Sequence, residues 1–195
     1  MPNDLLIGYS RKIDDPAFKK YLKREGQWAI GFSLVIAVIA IVGFTVAGEM
    51  GIEDMENPES MMIGFGIGSM FLLIALIQVF TKKGTKTWDG VVVEKKAVKK
   101  RKKRTSGEDT YYEDVIMYSI IINKDSGGSH EISVENDDTL FRYYKEGDRV
   151  RRHGGLKTFE KYDKSNDDII FCAACATLCE ISEEKCPRCH CPILK

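Results

Sequence analysis

The sequence predicts an α+β membrane protein, with an N-terminal transmembrane helical hairpin, a small antiparallel β domain and a C-terminal module held by cysteines. Three observations carry this. Residues 28–48 (WAIGFSLVIAVIAIVGFTVAG) and 61–80 (MMIGFGIGSMFLLIALIQVF) contain no Asp, Glu, Lys or Arg. From Trp88 onward, segments rich in Val, Ile and Tyr are punctuated by turn residues. All six cysteines lie between positions 172 and 191.

Whole-chain averages conceal this division. With 195 residues, 29 basic and 29 acidic side chains and a mean hydropathy of -0.22, the chain has the figures of an ordinary soluble domain. The apolar blocks of 21 and 20 residues nevertheless match the roughly 20 needed to cross a hydrocarbon core of about 30 Å as helix. The 115 residues after position 80 suffice for one small domain and a metal-sized module, and a multi-domain catalyst is not expected. The expected boundaries are an amphipathic leader at 1–27, the hairpin at 28–80, a β domain with a basic loop at 81–169 and the cysteine module at 170–195.

Charge sets the orientation. The segment before the first block carries Arg11, Lys12, Lys19, Lys20, Lys23 and Arg24, and residues 81–104 carry eleven bases against Asp89 and Glu94. Between the blocks, 49–60 has five acids and no base. Because Lys and Arg near helix ends are retained inside, both termini are expected in the cytoplasm of a multi-pass cell-membrane protein. A cleaved signal peptide is disfavoured, since its apolar region is usually only about 7–15 residues long. Trp28 and Phe80 suit the cytoplasmic interface. The only polar residues inside the blocks besides Trp28 are Ser33, Thr45, Ser69 and Gln78, which leaves no ionisable group for a proton relay or channel. Gly64 and Gly68, with a second small face at Gly43 and Ala47, can seat the two helices together or pair two chains as a homodimer.

In the leader, Asp14 or Asp15 is expected to cap a helix with Pro16 at its first position. Phe18, Tyr21 and Leu22 form an apolar stripe beside Lys19, Lys20, Lys23 and Arg24, fit either to lie on an anionic leaflet or to extend the first span as continuous helix. Farther on, Lys95, Lys96, Lys99, Lys100, Arg101, Lys102, Lys103 and Arg104 place eight bases in ten positions. Three roles are open: a solvated hairpin loop between strands, contact with anionic lipid, or nucleic-acid binding. The run contains no interleaved aromatic residue, and residues 105–195 hold 12 bases against 18 acids, so nucleic acid is the weakest of the three.

The β domain is read from WDGVVVEKKAV, YYEDVIMYSIII and HEISVEN, the last two joined by the Ser-Gly-Gly-Ser turn at 126–129. DDTLFRYY reads as a helical turn capped by Asp137 or Asp138, followed by strands at DRVRRH and LKTFEKY. Five or so short strands suggest a small antiparallel barrel or sandwich of OB-like or SH3-like form. His130 and His153 are expected at exposed strand or turn positions. No Ser-His-Asp, paired-carboxylate or phosphate-loop signature is present, so no catalytic residue is assigned.

Cys172-Ala-Ala-Cys175 and Cys186-Pro-Arg-Cys189, ten residues apart, form two CxxC pairs. Each pair can turn two thiolates toward one ion, and the two together complete a tetrahedral sulfur shell, for which zinc is the expected metal. Disulfides conflict with the cytoplasmic orientation, and a redox CxxC lacks a thioredoxin-like setting, although redox and iron-sulfur roles stay open. Four thiolates close the shell, which points to a structural rather than catalytic ion. Cys179 or Cys191 could replace one of the four.

This tract resembles the short zinc-ribbon domain found at the ends of many bacterial and archaeal proteins, over about 24 residues. The resemblance implies that Cys172, Cys175, Cys186 and Cys189 are ligands, that Pro187 shapes the second knuckle and that Ile193 and Leu194 pack the small core. It departs from the family at Ala176 and His190, where the family usually has Gly to admit a positive φ. The tract EKYDKSNDDIIFC leading into CPRCHCPILK also looks like a family of bacterial membrane proteins with two spans, a small β domain and a terminal ribbon carrying an extra CxC. That likeness implies an architecture and no activity.

The function expected from the sequence is a membrane-anchored, non-catalytic interaction or sensing module facing the cytoplasm, with an unidentified protein partner. The alternative is an anionic-lipid or nucleic-acid binder using the basic run 95–104, and the third reading is an enzyme of unrecognised type.

Overall fold

Asp15 opens the first helix. Its carboxylate accepts the Ala17 N–H at 2.7 Å, and Pro16 takes the first helical position, where no intrahelical donor is needed. In the computed structural model, which describes residues 6–51, 56–83, 85–107 and 109–195, this helix α1 (Pro16–Met50) runs 35 residues without a break. Residues 16–27 are thus a continuous helical extension of the apolar block. Gly51, with φ of 61°, ends α1 and donates to Ala47 O. The second helix, α2 (Glu59–Lys83), has 25 residues. Both are long and apolar enough to cross a membrane. Of the acidic loop between them, Glu53 and Asp54 lie outside the described residues.

The small residues of α2 face α1. A Cβ on Gly64 would lie 3.0 Å from Ala40 O and 3.1 Å from Phe44 Cβ, and one on Gly68 would lie 3.3 Å from the Ala37 Cα. The close approach that a GxxxG stripe permits is therefore spent inside the hairpin. Near its loop end, Ser60 Oγ donates to Phe44 O and Asn57 Nδ2 donates to Thr45 O at 3.2 Å. At the other end Trp28 and Phe80 stand exposed.

Residues 6–13 and 87–195 form the other compact unit. Its main sheet contains β1 (Trp88–Ser106), β2 (Asp109–Lys124), β3 (Ser129–Glu135), β4 (Arg149–Arg152) and β5 (Phe159–Lys161), in the order β3-β2-β1-β4-β5 and antiparallel throughout. A short helix α3 (Thr139–Tyr143) separates β3 from β4. Gly127 and Gly128, with φ of 96° and 78°, make the β2–β3 turn. At Gly90 the strands come so close that a Cβ would clash with Asn123 O. A bulge between Val92 and Glu94 then bends β1. Val92, Ile120, Ile122, Tyr143, Tyr144, Val150, Phe159 and Phe171 form the core.

The expected closed barrel or sandwich does not form. β3 pairs only with β2 and β5 only with β4, leaving an open sheet. Across the seam β3 and β5 meet through side chains, the His130 and Phe159 rings having centroids 5.7 Å apart, and no ladder joins the two strands. The second sheet, β6 (Ile169–Phe171) with β7 (Leu178–Glu180), is a two-stranded hairpin leading through the cysteines, not a second layer.

A further correction concerns the basic run. It is not a loop but the outer half of β1, paired residue by residue from Lys95↔Ile120 to Arg104↔Tyr111. Beyond Val98 and Met117, β1 and β2 pair only with each other, apart from Asn136, which bonds the Ile116 backbone on both its N–H and C=O. The hairpin therefore projects as a two-stranded arm. Glu108, near its tip, lies outside the described residues.

Candidate metal centre

Two turns of the same design carry the four cysteines. In the first, Cys172 N donates to Thr177 O and Ala176 N donates to Cys172 O, both at 2.9 Å. In the second, Cys186 N donates to Cys191 O and His190 N to Cys186 O, again both at 2.9 Å. Closing each turn requires a left-handed residue after the second cysteine, and Ala176 and His190 take φ of 62° and 60°. They occupy the positions where the zinc-ribbon family usually has Gly.

The turns bring Cys172, Cys175, Cys186 and Cys189 Sγ within 4.8 Å of one another. Cys172 Sγ lies 3.5 Å from Cys189 Sγ, and Cys175 Sγ lies 3.5 Å from Cys186 Sγ. Sulfurs of a tetrahedral site with 2.3 Å bonds are about 3.8 Å apart, so the spacing suits one ion. All six cysteines are free thiols. Cys179 lies on β7, where its Sγ donates to Thr177 O at 3.6 Å, and Cys191 is buried. Neither belongs to the cluster of four.

Burial decides the charge state of most of these thiols. Burial pushes the Cys172 thiol up to about 12 and raises Cys189 as well. Cys179 is pushed up to about 12, first by burial and then by Cys186. Burial opposes ionisation at Cys186 too, but the N–H groups of Cys189 and Arg188 and the neighbouring thiols outweigh it and bring it down to about 7. Four thiolates cannot coexist in so small a volume without a positive ion. The donor set, four sulfurs and no oxygen, fits a soft or borderline metal.

The centre is fused to the β unit. Lys157 N and Thr158 N donate to Ala173 O at 2.9 and 3.2 Å, Thr158 Oγ1 donates to Cys172 O at 3.2 Å, and Phe171 stacks edge-on against Tyr143 at 5.0 Å. From the other end of the chain, Lys12 Nζ donates to Glu184 at 2.6 Å, and Lys195 reaches the same carboxylate at 2.8 Å. The two ammonium groups bring Glu184 down to about 2.

The eight basic residues are only partly free. Lys96 pairs with Glu94, Lys99 with Asp114, Lys102 with Glu135, and Arg104 with Glu113 and Glu135. Lys95 Nζ lies 4.2 Å above the Phe141 ring and Arg101 lies 5.4 Å above Tyr112. Among the described residues Lys100 and Lys103 have neither a carboxylate in ion-pair reach nor a ring beneath them. Aromatic interleaving exists after all, across the ladder: Tyr111 and Tyr112, both exposed, stand opposite Arg104 and Lys103.

A buried polar cluster was not foreseen. His153 is buried, not exposed, with Nε2 2.7 Å from Glu160 Oε2. The other Glu160 oxygen accepts from Ser10 N at 2.6 Å and from Lys164 Nζ at 3.1 Å, and Lys164 also donates to Gly8 O at 2.8 Å. Burial drives the Lys164 ammonium below the ordinary lysine range, against the pull of Glu160. The cluster clips residues 6–10 onto the β unit, beside the backbone bonds Gly8 N to Tyr162 O and Lys164 N to Leu6 O. Nothing local in the sequence around Glu160 reveals that residues 8–10 cover it.

No family model, curated protein or solved structure matches this chain; what stands is the group of four cysteines near the C-terminus and the two apolar helices.

Proposed function

We propose that this protein is a membrane-anchored, non-catalytic interaction or sensing module, in which α1 and α2 span the bilayer, both termini face the cytoplasm, and the four thiols hold zinc as a structural ion. The observation that carries the reading is that four thiols lie within 4.8 Å of one another: around one tetrahedral ion they would fill every position and leave none for water or substrate. When bound, the ion supplies the charge that lets four buried thiols ionise and ties the two turns together. Basic residues flank the hairpin on both sides, which supports the inward orientation. The strand order, with α3 between β3 and β4, supports an OB-like sheet left open at the β3/β5 seam.

Full-length protein purified in detergent under reducing conditions should contain one zinc per chain. Cys175→Ser and Cys186→Ser should lose it and Cys179→Ser should keep it. A cytoplasm-dependent reporter should work after Lys195 and fail near Asn57. Absence of metal with all six sulfurs oxidised, or the reversed reporter pattern, overturns the reading. Zinc lost from Cys191→Ser and retained in Cys189→Ser reassigns the fourth ligand.

The second reading is contact with anionic lipid through the arm. It is favoured by Lys100 and Lys103, which among the described residues have no carboxylate in ion-pair reach, and by exposed Tyr112 opposite Lys103, cations and an amphipathic ring suited to a headgroup surface.

A further inference from the structure

The unclosed seam between β3 and β5 holds a cavity of about 150 Å³. Ile132, Leu140 and Phe159 give it apolar walls, while Arg152, at the end of β4, and His130 give it a polar end. Most polar groups around it are already satisfied. Tyr144 Oη donates to Phe159 O at 2.8 Å, and Thr158 Oγ1 donates to Cys172 O. Glu131 contributes to the lining, but its side chain points to the opposite face of β3 from His130 and Ile132, where its carboxylate accepts from Ser133 Oγ at 2.8 Å.

Arg152 is different. Its one hydrogen bond is from Nη1 to Lys157 O at 3.2 Å, and its Cζ lies 5.1 Å above the Phe159 ring. Among the described residues it has no carboxylate partner. A guanidinium offers five N–H donors in a planar fork that matches a carboxylate, so most of its capacity is unused. The field in the cavity is positive: Lys124 Nζ sits 5.0 Å above Trp88, whose ring packs against His130 and Phe159. His130 is held below its ordinary value by burial, then by Arg152 and Lys124. A half-buried cation at the end of an apolar cavity lacks the anion that would offset its desolvation.

We infer that this cavity is a binding site for a small organic carboxylate, with Arg152 pairing to the carboxylate and Ile132, Leu140 and Phe159 enclosing the hydrocarbon part. A cavity of this volume takes a body about the size of benzene, which selects short-chain or single-ring acids. The site contains none of the four cysteines, although Lys157 and Thr158 of its lining bond the backbone at Ala173 and Cys172, and it gives the proposed module something to sense.

The chain has two tryptophans, Trp28 and Trp88, so Trp28→Phe leaves a reporter whose ring lies 5.4 Å from both His130 and Phe159. Titrating full-length Trp28→Phe protein in detergent with butyrate should change its emission saturably. Butyramide, the neutral isostere, should bind at least tenfold more weakly, and Arg152→Gln should weaken butyrate at least tenfold. Ile132→Phe, which fills the cavity and leaves Arg152 in place, should abolish the response with the circular dichroism spectrum unchanged. Butyrate and butyramide binding equally, Arg152→Gln binding butyrate normally, or no saturable change overturns the site. Saturation by inorganic phosphate but not butyrate overturns the ligand class.

Discussion

Ala176 and His190 adopt φ near 60°, a region where a Cβ costs roughly 1–2 kcal/mol. Each residue closes a turn that aims two thiols at one point, and a metal ion bound there would outweigh the cost. Replacing either by Gly removes the clash but adds backbone freedom to the unfolded chain, so each change should stabilise by about 0.5–1 kcal/mol net. Ala176→Gly and His190→Gly should raise the thermal midpoint of the zinc-loaded protein, and a lowered midpoint would count against the left-handed assignment. These positions are legible in sequence because the turn is local: cysteine spacing and the missing glycines lie within a few residues of one another. His153 and Lys164 are not legible in that way. Their burial depends on Glu160 being covered by Ser10, 150 residues away in the chain.

Helices and turns were equally plain at the scale of elements. Two charge-free blocks, an Asp-Pro start and a Gly-Gly turn each act through local backbone or solvation physics. The basic strand was not plain, because what keeps it extended lies on other strands. Lys99, Lys102 and Arg104 find their acids at Asp114, Glu113 and Glu135. Exposed pairs of this kind contribute little individually, about 0–1 kcal/mol, but they relieve the repulsion that would favour a loop. The arm also keeps two lysines available for a surface. In nanodiscs containing phosphatidylserine, amide exchange over residues 100–114 of full-length protein should slow relative to neutral discs, and the difference should shrink with added salt. Lys100→Gln with Lys103→Gln should remove it. Equal exchange in both lipids at low salt would mean the arm simply stands in water, while protection by oligonucleotide instead would favour a nucleic-acid role.

At the scale of the whole molecule, the metal centre and the sheet are one structure. The tract from Cys172 to Lys195 is too short to bury a core sufficient for its own folding, so a bound ion should supply most of its folding free energy, on the order of 10 kcal/mol. That energy does not stay within the two turns. Ala173 O receives both Lys157 N and Thr158 N, and Phe171 fills the same core as Tyr143, Tyr144 and Phe159. Chelation should therefore release more than the turn amides. In full-length protein under reducing conditions, a zinc chelator should abolish exchange protection at Ala176 and His190, which donate inside the turns, and at Lys157 and Thr158, which donate to Ala173 O. The long β1–β2 ladder, whose pairing from Glu94↔Ile121 to Ser106↔Asp109 involves no cysteine, should keep its protection. So should the helical hairpin, a separate compact unit. Loss confined to residues 172–191 would show that the ribbon is only appended to the sheet, and unchanged exchange everywhere would show that the thiols hold their geometry without an ion. Loss spreading to residues 156–161 is the outcome that the shared core requires.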